Sequence, residues 1–253
     1  MQALIGSTGF VGGTLAAQDR FDAAYHSTNI HDIDGRHFDR VVCAGVSAVK
    51  WWANANPEAD LSGIERLICH LDRVDVDQFV MISTVDVYAV PVRVDERDVG
   101  HAPGLHAYGR NRVMLENWVR ARFRNAVIIR LPALFGAGLK KNALFDLMNG
   151  NRLSAIDPAS TFQWYPLERL SDDIRRVEAA ALPLVNLVTE PVAMATIRSR
   201  LFPDSALGGV STPGAYDVRT IHGDVFGTGS DYMMPAGAVM DAMDRFVGRE
   251  RGP

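Results

Sequence analysis

The sequence has little cysteine, no long apolar run and no surplus of charge of one sign. Cysteine occurs twice in 253 residues, at Cys43 and Cys69. Both lie in apolar segments that read as a strand and a helix, so buried free thiols in a reducing compartment are expected. Ligands of suitable spacing for a metal site are missing, and no metal is expected. No apolar run reaches ~18 residues, so no membrane span is expected. Lys and Arg total 26 against 30 Asp and Glu, a net charge of −4, which gives no reason to expect nucleic acid or an anionic membrane as partner. The chain enters its first strand at once and leaves no room for a signal peptide, so the cytoplasm is the expected location. Repeats and low-complexity segments are also missing. What remains is an ordinary globular composition, 47% hydrophobic and 22% charged, able to bury a sizeable core. Its length permits one large α/β domain, or one domain with a small appendage.

The most informative stretch is Gly6-Ser7-Thr8-Gly9-Phe10-Val11-Gly12. It follows the apolar run Ala3-Leu4-Ile5 and leads into a helix-compatible segment, Gly13 to Gln18. Strand, glycine turn and helix together hold a pyrophosphate. One glycine reverses the chain without a Cβ clash, a second lets backbone approach the phosphates, and the new helix offers unpaired N–H groups. The spacing is G-x-x-G-x-x-G, not the usual G-x-G-x-x-G fingerprint. Dinucleotide binding is expected here, with a plain strand-to-helix turn as the competing reading.

Behind this turn the chain alternates strands and helices. Asp22 to His26 reads as the second strand. His26-Ser27-Thr28-Asn29 follows, where an acid would favour NAD; Ser27, Thr28 and Asn29 suit either a ribose or a 2′-phosphate, so NAD and NADP both remain open. Phe38 to Ala44 reads as a strand buried on both faces, and Gly45-Val46-Ser47 follows as a small-residue turn for a cofactor to pass. Only about ten residues separate the two, which leaves little room for a full helix. Trp51 and Trp52 point to different sides of their segment, and packing is the expected role for each. Pro57 suits the first turn of a helix whose face is Leu61, Ile64, Leu67, Ile68 and Leu71. Further strands are expected at Gln78–Ser83, Ala126–Leu131, Thr161–Leu167 and Val185–Val188. Helices are expected from Tyr108, over Asn142–Met148, Leu170–Ala181, Val192–Phe202 and Ala238–Val247. Five or more such units imply a Rossmann-type doubly wound parallel sheet with helices on both faces. The expected division is a dinucleotide-binding domain over 1–135 and a small C-terminal substrate-binding lobe over 136–253, which also returns elements to the core.

Thr84 sits at a strand's carboxyl end, where ligands of such sheets bind. Tyr108 opens a helix, and Arg112 lies one turn on, on the same face. A hydroxyl, a phenol and a cation suit hydride transfer: the phenol gives or takes the substrate proton and the cation lowers its pKa. Each residue alone has a plain structural explanation; the combination with the glycine turn points to a shared site. Lys140, Lys141 and Asn142 suit a substrate's phosphates or a solvated helix start, and Gln163 and Tyr165 alternate on a short strand that could line the same pocket. His222, in a glycine-rich tail, is assigned no catalytic role.

The chain resembles an extended short-chain dehydrogenase/reductase of the NAD-dependent epimerase/dehydratase family. Gly6–Gly12 matches its glycine turn, including the aromatic at Phe10. Ile82–Tyr88 (ISTVDVY) resembles its serine/threonine segment, Tyr108–Arg112 falls on its YxxxK motif, Arg130–Gly136 (RLPALFG) resembles RxxNVYG, and Phe162–Ile174 resembles FVxVxDva. The resemblance implies that NAD or NADP is held by Gly6, Thr8, Gly9, Phe10, Val11 and Gly12, by Ser27, Thr28 and Asn29, by Ala44, Gly45 and Val46, and by Tyr108, Arg112 and Pro132. It implies Thr84, Tyr108 and Arg112 as catalytic residues, with Asp86, Lys141, Asn142, Gln163 and Tyr165 at the substrate. The expected partner is a small molecule, a sugar or nucleotide-sugar alcohol or ketone, and the expected assembly a homodimer. Three departures stand out. Arg112 replaces a lysine, which in the family contacts the nicotinamide ribose. Val85 replaces the first dehydratase acid, although Asp86 matches the second, which argues against dehydration. The chain is also short for the family. The competing function is a dinucleotide-binding sensor or scaffold with little turnover.

Overall fold

A computed structural model describes residues 1–98, 104–209 and 212–251. The chain divides into two compact units. The first comprises Met1–Ala89, Asp98–Arg130 and Ser171–Val185; the second comprises Val90–Arg97, Leu131–Leu170 and Asn186–Pro253.

The first unit is built on strands β1 (Gln2–Ile5), β2 (Ala23–Tyr25), β3 (His37–Cys43) and β4 (Asp75–Thr84). Between them lie helices α1 (Phe10–Gln18), α2 (Lys50–Ala55) and α3 (Pro57–Leu71). β5 (Val92–Val94) belongs to the second unit, and α4 (Ala107–Arg122) and β6 (Ala126–Leu131) continue the alternation. β1 pairs in parallel with β2 and β3, and β3 with β4. The apolar runs of these strands are buried on both faces, as at Leu4, Ile5, Val41, Val42, Val80 and Met81, which is what a sheet covered by helices on each side demands. A buried ion pair ties three of these elements together. Arg130 donates to Glu116 from Nε (3.0 Å) and Nη2 (2.6 Å) and to the Tyr88 phenol (2.8 Å), and Ser83 donates to Glu116 at 2.6 Å.

The second unit continues with β7 (Ala133–Phe135), α5 (Ala143–Asn149), β8 (Thr161–Phe162) and β9 (Trp164–Pro166). α6 (Leu170–Ala179) and β10 (Leu184–Asn186) return the chain to the sheet, whose order is β2-β1-β3-β4-β6-β10. β11 (Val192–Ala193), α7 (Met194–Leu201), β12 (Asp217–Val218) and α8 (Ala236–Arg251) follow. Among the described residues, the second unit's strands pair β11 with β8, β12 with β5 and β7 with β9. The fold is therefore the expected Rossmann-like α/β architecture.

Several local expectations change. β4 extends over Asp75–Thr84, beyond the expected Gln78–Ser83; its first half alternates exposed and half-buried positions, so no continuous apolar run marks it. The Thr161–Leu167 segment is two short strands separated by Gln163. Cys43 is buried, but Cys69 is exposed, on the outward side of α3. Trp51 and Trp52 are 72% and 36% exposed, so neither belongs to the core. Among the described residues no helix is long and apolar enough to cross a membrane.

Candidate active site

The sheet order reverses between β1 and β3, so their carboxyl ends frame a crevice. The glycine turn closes one side. Gly6 has φ +87°, and a Cβ there would meet the Ala44 carbonyl oxygen at 2.3 Å. A Cβ on Gly12 would meet the Gly6 carbonyl oxygen at 2.0 Å. The two turns thus touch through backbone, which only glycine permits. Gly6 and Ser7 donate their N–H groups to the Tyr25 carbonyl, at 2.8 and 3.2 Å. Gly9 caps α1 without a side chain, and the first turn holds no acid. The helix therefore presents its N-terminal N–H groups and positive dipole end uncompensated, a cradle that fits a diphosphate. Thr8 and Gly9 are exposed there, while Phe10 and Val11 are half-buried. Of the polar residues after β2, Asn29 accepts from the His26 N–H at 2.7 Å and donates to the Ala24 carbonyl at 3.2 Å. Thr28 meets His26 Nδ1 at 3.0 Å, and Ser27 is exposed. Ala44 and Val46 are half-buried beside the turn and Gly45 is exposed.

Thr84 ends β4 and caps the turn Val85–Val87, its Oγ accepting from the Asp86 N–H at 3.1 Å. Tyr108 lies in the first turn of α4, its N–H bonded to Asn54 Oδ1 at 2.9 Å. His106 caps α4, with Nδ1 accepting from the Gly109 N–H at 3.0 Å. Gly109 is required at this junction, because a Cβ would meet the Asp86 carbonyl oxygen at 2.2 Å. These contacts fix the first turn of α4 against the turn that follows β4, and Tyr108 feels Thr84 there. Burial pushes the Tyr108 pKa above its ordinary value; Arg112 opposes this most, Asp86 adds to it, and the Thr84 hydrogen bond and Lys50 oppose it. The Arg112 guanidinium lies over the Tyr108 ring, 3.8 Å from its centre, and is paired with buried Asp60. Asp86 is paired with Lys50 at 2.7 Å.

Thr84, Tyr108, Arg112 and Asp86 are therefore brought together in the first unit. Sequence reasoning passed over Lys50, Asn54, Asp60 and His106. Asp60 carried a signal: the spacing 60, 64, 67, 71 places a carboxylate on the buried face of α3, and a buried carboxylate needs a partner.

The remaining residues lie in the second unit, where Pro132 is half-buried after β6. An open pocket of about 260 Å³ is lined by Asn142, Asp146, Arg152, Asp157, Ser160 and Phe162, among others. Asn142 has φ +125°, accepts from the Phe145 N–H at 3.1 Å and donates to the Leu134 carbonyl at 2.8 Å. Lys141 is exposed next to it. Gln163 and Tyr165 do not line this pocket; both are buried. Gln163 donates to the carbonyls of Thr189 (2.6 Å) and Val218 (2.7 Å) and accepts from the Val218 N–H (2.9 Å). Both its amide protons are thus used in joining backbone segments.

The profile of the NAD dependent epimerase/dehydratase family matches residues 21–151, just over half of the chain. A search of the curated proteins finds no match. Among solved structures, the chain is similar to a dTDP-4-dehydrorhamnose reductase from Clostridium acetobutylicum, at 14% identity and TM-score 0.73 over 99% of this chain and 100% of that one. It is also similar to a UDP-N-acetylglucosamine 4-epimerase from Methanobrevibacter ruminantium solved with UDP-N-acetylmuramic acid, at 10% identity and TM-score 0.74 over 97% and 96%. A third likeness is to a dTDP-4-dehydrorhamnose reductase from Bacillus anthracis in complex with NADP, at 14% identity and TM-score 0.73 over 97% and 96%. At these identities the likeness is one of fold.

Proposed function

The chain belongs to the NAD-dependent epimerase/dehydratase family, and from that premise we propose that it is an NAD- or NADP-dependent oxidoreductase or epimerase of a sugar or nucleotide-sugar alcohol or ketone. The observation that carries this reading is the buried Tyr108 phenol beside Thr84, with the Arg112 guanidinium over its ring. The glycine turn and the start of α1 would hold the cofactor's diphosphate. A dinucleotide held in this way would supply or accept the hydride through its nicotinamide. Thr84 orients the substrate oxygen, and Tyr108 moves the proton at its own phenol oxygen. Burial keeps that phenol protonated, which suits a proton donor in ketone reduction. Val85, standing where a dehydratase carries an acid, favours reduction or epimerisation over dehydration. The structural likenesses to a nucleotide-sugar epimerase and two reductases support the substrate class. A homodimer is part of the same reading and is checked by light scattering of the purified protein.

The test is calorimetric titration with NADH and NADPH, followed by assay of Tyr108→Phe on a panel of nucleotide sugars. Loss of one acid/base group is expected to lower kcat by about 10²–10⁴-fold. A wild type that binds neither dinucleotide overturns the function, and full turnover by Tyr108→Phe overturns the role of the tyrosine. One observation favours a second reading, a dinucleotide-binding sensor: the Arg112 charge beside Tyr108 is already matched by Asp60. Tight NADH or NADPH binding with no turnover on any substrate would select it.

A further inference from the structure

Arg112 reaches from α4 into a fully protein-lined niche. Nη1 donates to Asp60 and, at 3.1 Å, to the Tyr108 carbonyl. Nη2 donates to Asp60 at 2.9 Å and to the Ser47 carbonyl at 2.5 Å. Each terminal nitrogen carries two protons, so all four face protein oxygens. The side chains of Arg112 and Asp60 are both 3% exposed. Asp60 also accepts from Asn111 Nδ2 at 2.8 Å, which fixes the carboxylate from a second side. The guanidinium carbon lies over the Tyr108 ring, 3.8 Å from its centre.

We infer that Asp60 is a positioning residue: it holds the Arg112 guanidinium over the Tyr108 ring, so that Arg112 serves the phenol and not the cofactor. The inference rests on the proposed role of Tyr108 as acid/base. It also accounts for arginine at a position where the family has lysine. One ammonium nitrogen cannot bind both oxygens of a carboxylate from two nitrogens and reach two carbonyls while lying over a ring; a planar fork does all three. Once clamped in this way, the cation has no terminal N–H to offer a ribose.

The charged and titratable groups that face Tyr108 come from several elements. Arg112 is on its own helix, with Asp60 of α3 behind it. Asp86 follows β4 and carries Lys50 of α2 at 2.7 Å. The His106 ring is 6.2 Å from the Tyr108 ring. Removing either member of the Asp60–Arg112 pair therefore changes the field at the phenol with opposite sign. Asp60→Asn leaves an unmatched cation and lowers the phenol's titration midpoint. Arg112→Met removes the cation and raises it. A purely structural pair would move both variants alike.

The midpoint is read by NMR titration of the protein carrying tyrosine labelled with ¹³C at Cζ, the signal being assigned by its loss in Tyr108→Phe. Shifts of about one pH unit in opposite directions are expected. If Asp60→Asn fails to fold, the double variant Asp60→Leu/Arg112→Met, which removes both charges, should titrate above wild type and below Arg112→Met. NADH and NADPH titrations of Arg112→Met should stay within about threefold of wild type, since loss of a charged ligand contact would cost about tenfold or more. Midpoints that move together or not at all overturn the inference, as does a tenfold loss of dinucleotide affinity in Arg112→Met. A wild type that binds neither dinucleotide defeats the proposed function alone, because the tyrosine titration still reads the clamp without turnover.

Discussion

A Cβ at Gly109 would sit 2.2 Å from the Asp86 carbonyl oxygen, closer than van der Waals contact allows, and backbone on both sides leaves little room to yield. Gly109→Ala is therefore expected to displace the first turn of α4 together with Tyr108. A shift of about 1 Å in a reacting group costs on the order of 10²-fold in rate, so kcat should fall by about that factor while circular dichroism keeps its helical content. Steady-state kinetics alongside the spectrum checks this; unchanged kcat would show that the junction has slack. The cysteines give a second residue-scale prediction. Cys43 is buried and burial pushes its thiol up to about 11, so little thiolate forms near neutrality. Cys69 is exposed. A thiol reagent should consume one equivalent per native chain and two after denaturation. Apolar sequence context suggested burial for both, but context does not say which side of a helix a residue occupies. Gln163 shows the same limit of sequence context. Alternation placed it correctly on a short extended segment, and only the structure shows its amide joining Thr189 to Val218.

At the scale of elements, the start of α4 depends on an unusual cap. His106 Nδ1 accepts from the Gly109 N–H, and can do so only when unprotonated. Burial, and next the charge of Lys50, hold the His106 pKa below its ordinary 6.5. The unfolded chain therefore takes up the proton more readily, and stability rises with pH in this range. The cap's contribution is full above about 6.5 and is lost as pH falls through the folded value. His106→Ala should cost about 1 kcal/mol, as N-cap losses generally do. His106→Asn, which keeps an acceptor without a titration in this range, should flatten the fall in Tm between pH 7 and 5. Thermal melts across that range decide, and an equally steep fall in His106→Asn would remove the histidine from the account. The element itself was legible in the sequence, since Val113, Leu115 and Val119 mark its buried face and its opening matched a known motif. The cap was not legible, because histidine is outside the usual N-cap set. α3 offers the opposite case. Its apolar spacing gave the helix with the right start at Pro57, and Asp60 in that spacing was the visible trace of the Arg112 partner.

At the scale of the molecule, the alternation of apolar strands with amphipathic helices was enough for the sheet, because each strand buried on both faces leaves a continuous apolar run. Beyond Pro132 the strands shrink to two or three residues, too short for periodicity to speak, and the second unit's pairings were not readable. The compact units also do not follow chain order, since Ser171–Val185 belongs with the first. The reason lies in the contacts of α6. Ser171 donates from its N–H to Gln18 and from its hydroxyl to Asp19, both at 3.1 Å. Arg175 reaches Asp19 at 3.2 Å. Glu178 receives Arg40 of β3 through Nε at 2.7 Å and Nη2 at 3.1 Å. Ile174 and Val177 are fully buried. A fragment ending at residue 135 would carry the glycine turn, Thr84 and Tyr108 but lose α6, uncovering apolar surface and leaving Arg40 without its carboxylate. Burial of two such side chains is worth about 1.5–3 kcal/mol each, a large part of a typical domain's net stability of about 5–15 kcal/mol. Residues 1–135 alone are therefore expected to melt without a cooperative transition and to bind neither NADH nor NADPH, whereas the full chain should melt cooperatively. Calorimetry of the two proteins checks this, and a sharp transition in the fragment would show that the first unit folds without its returning helix.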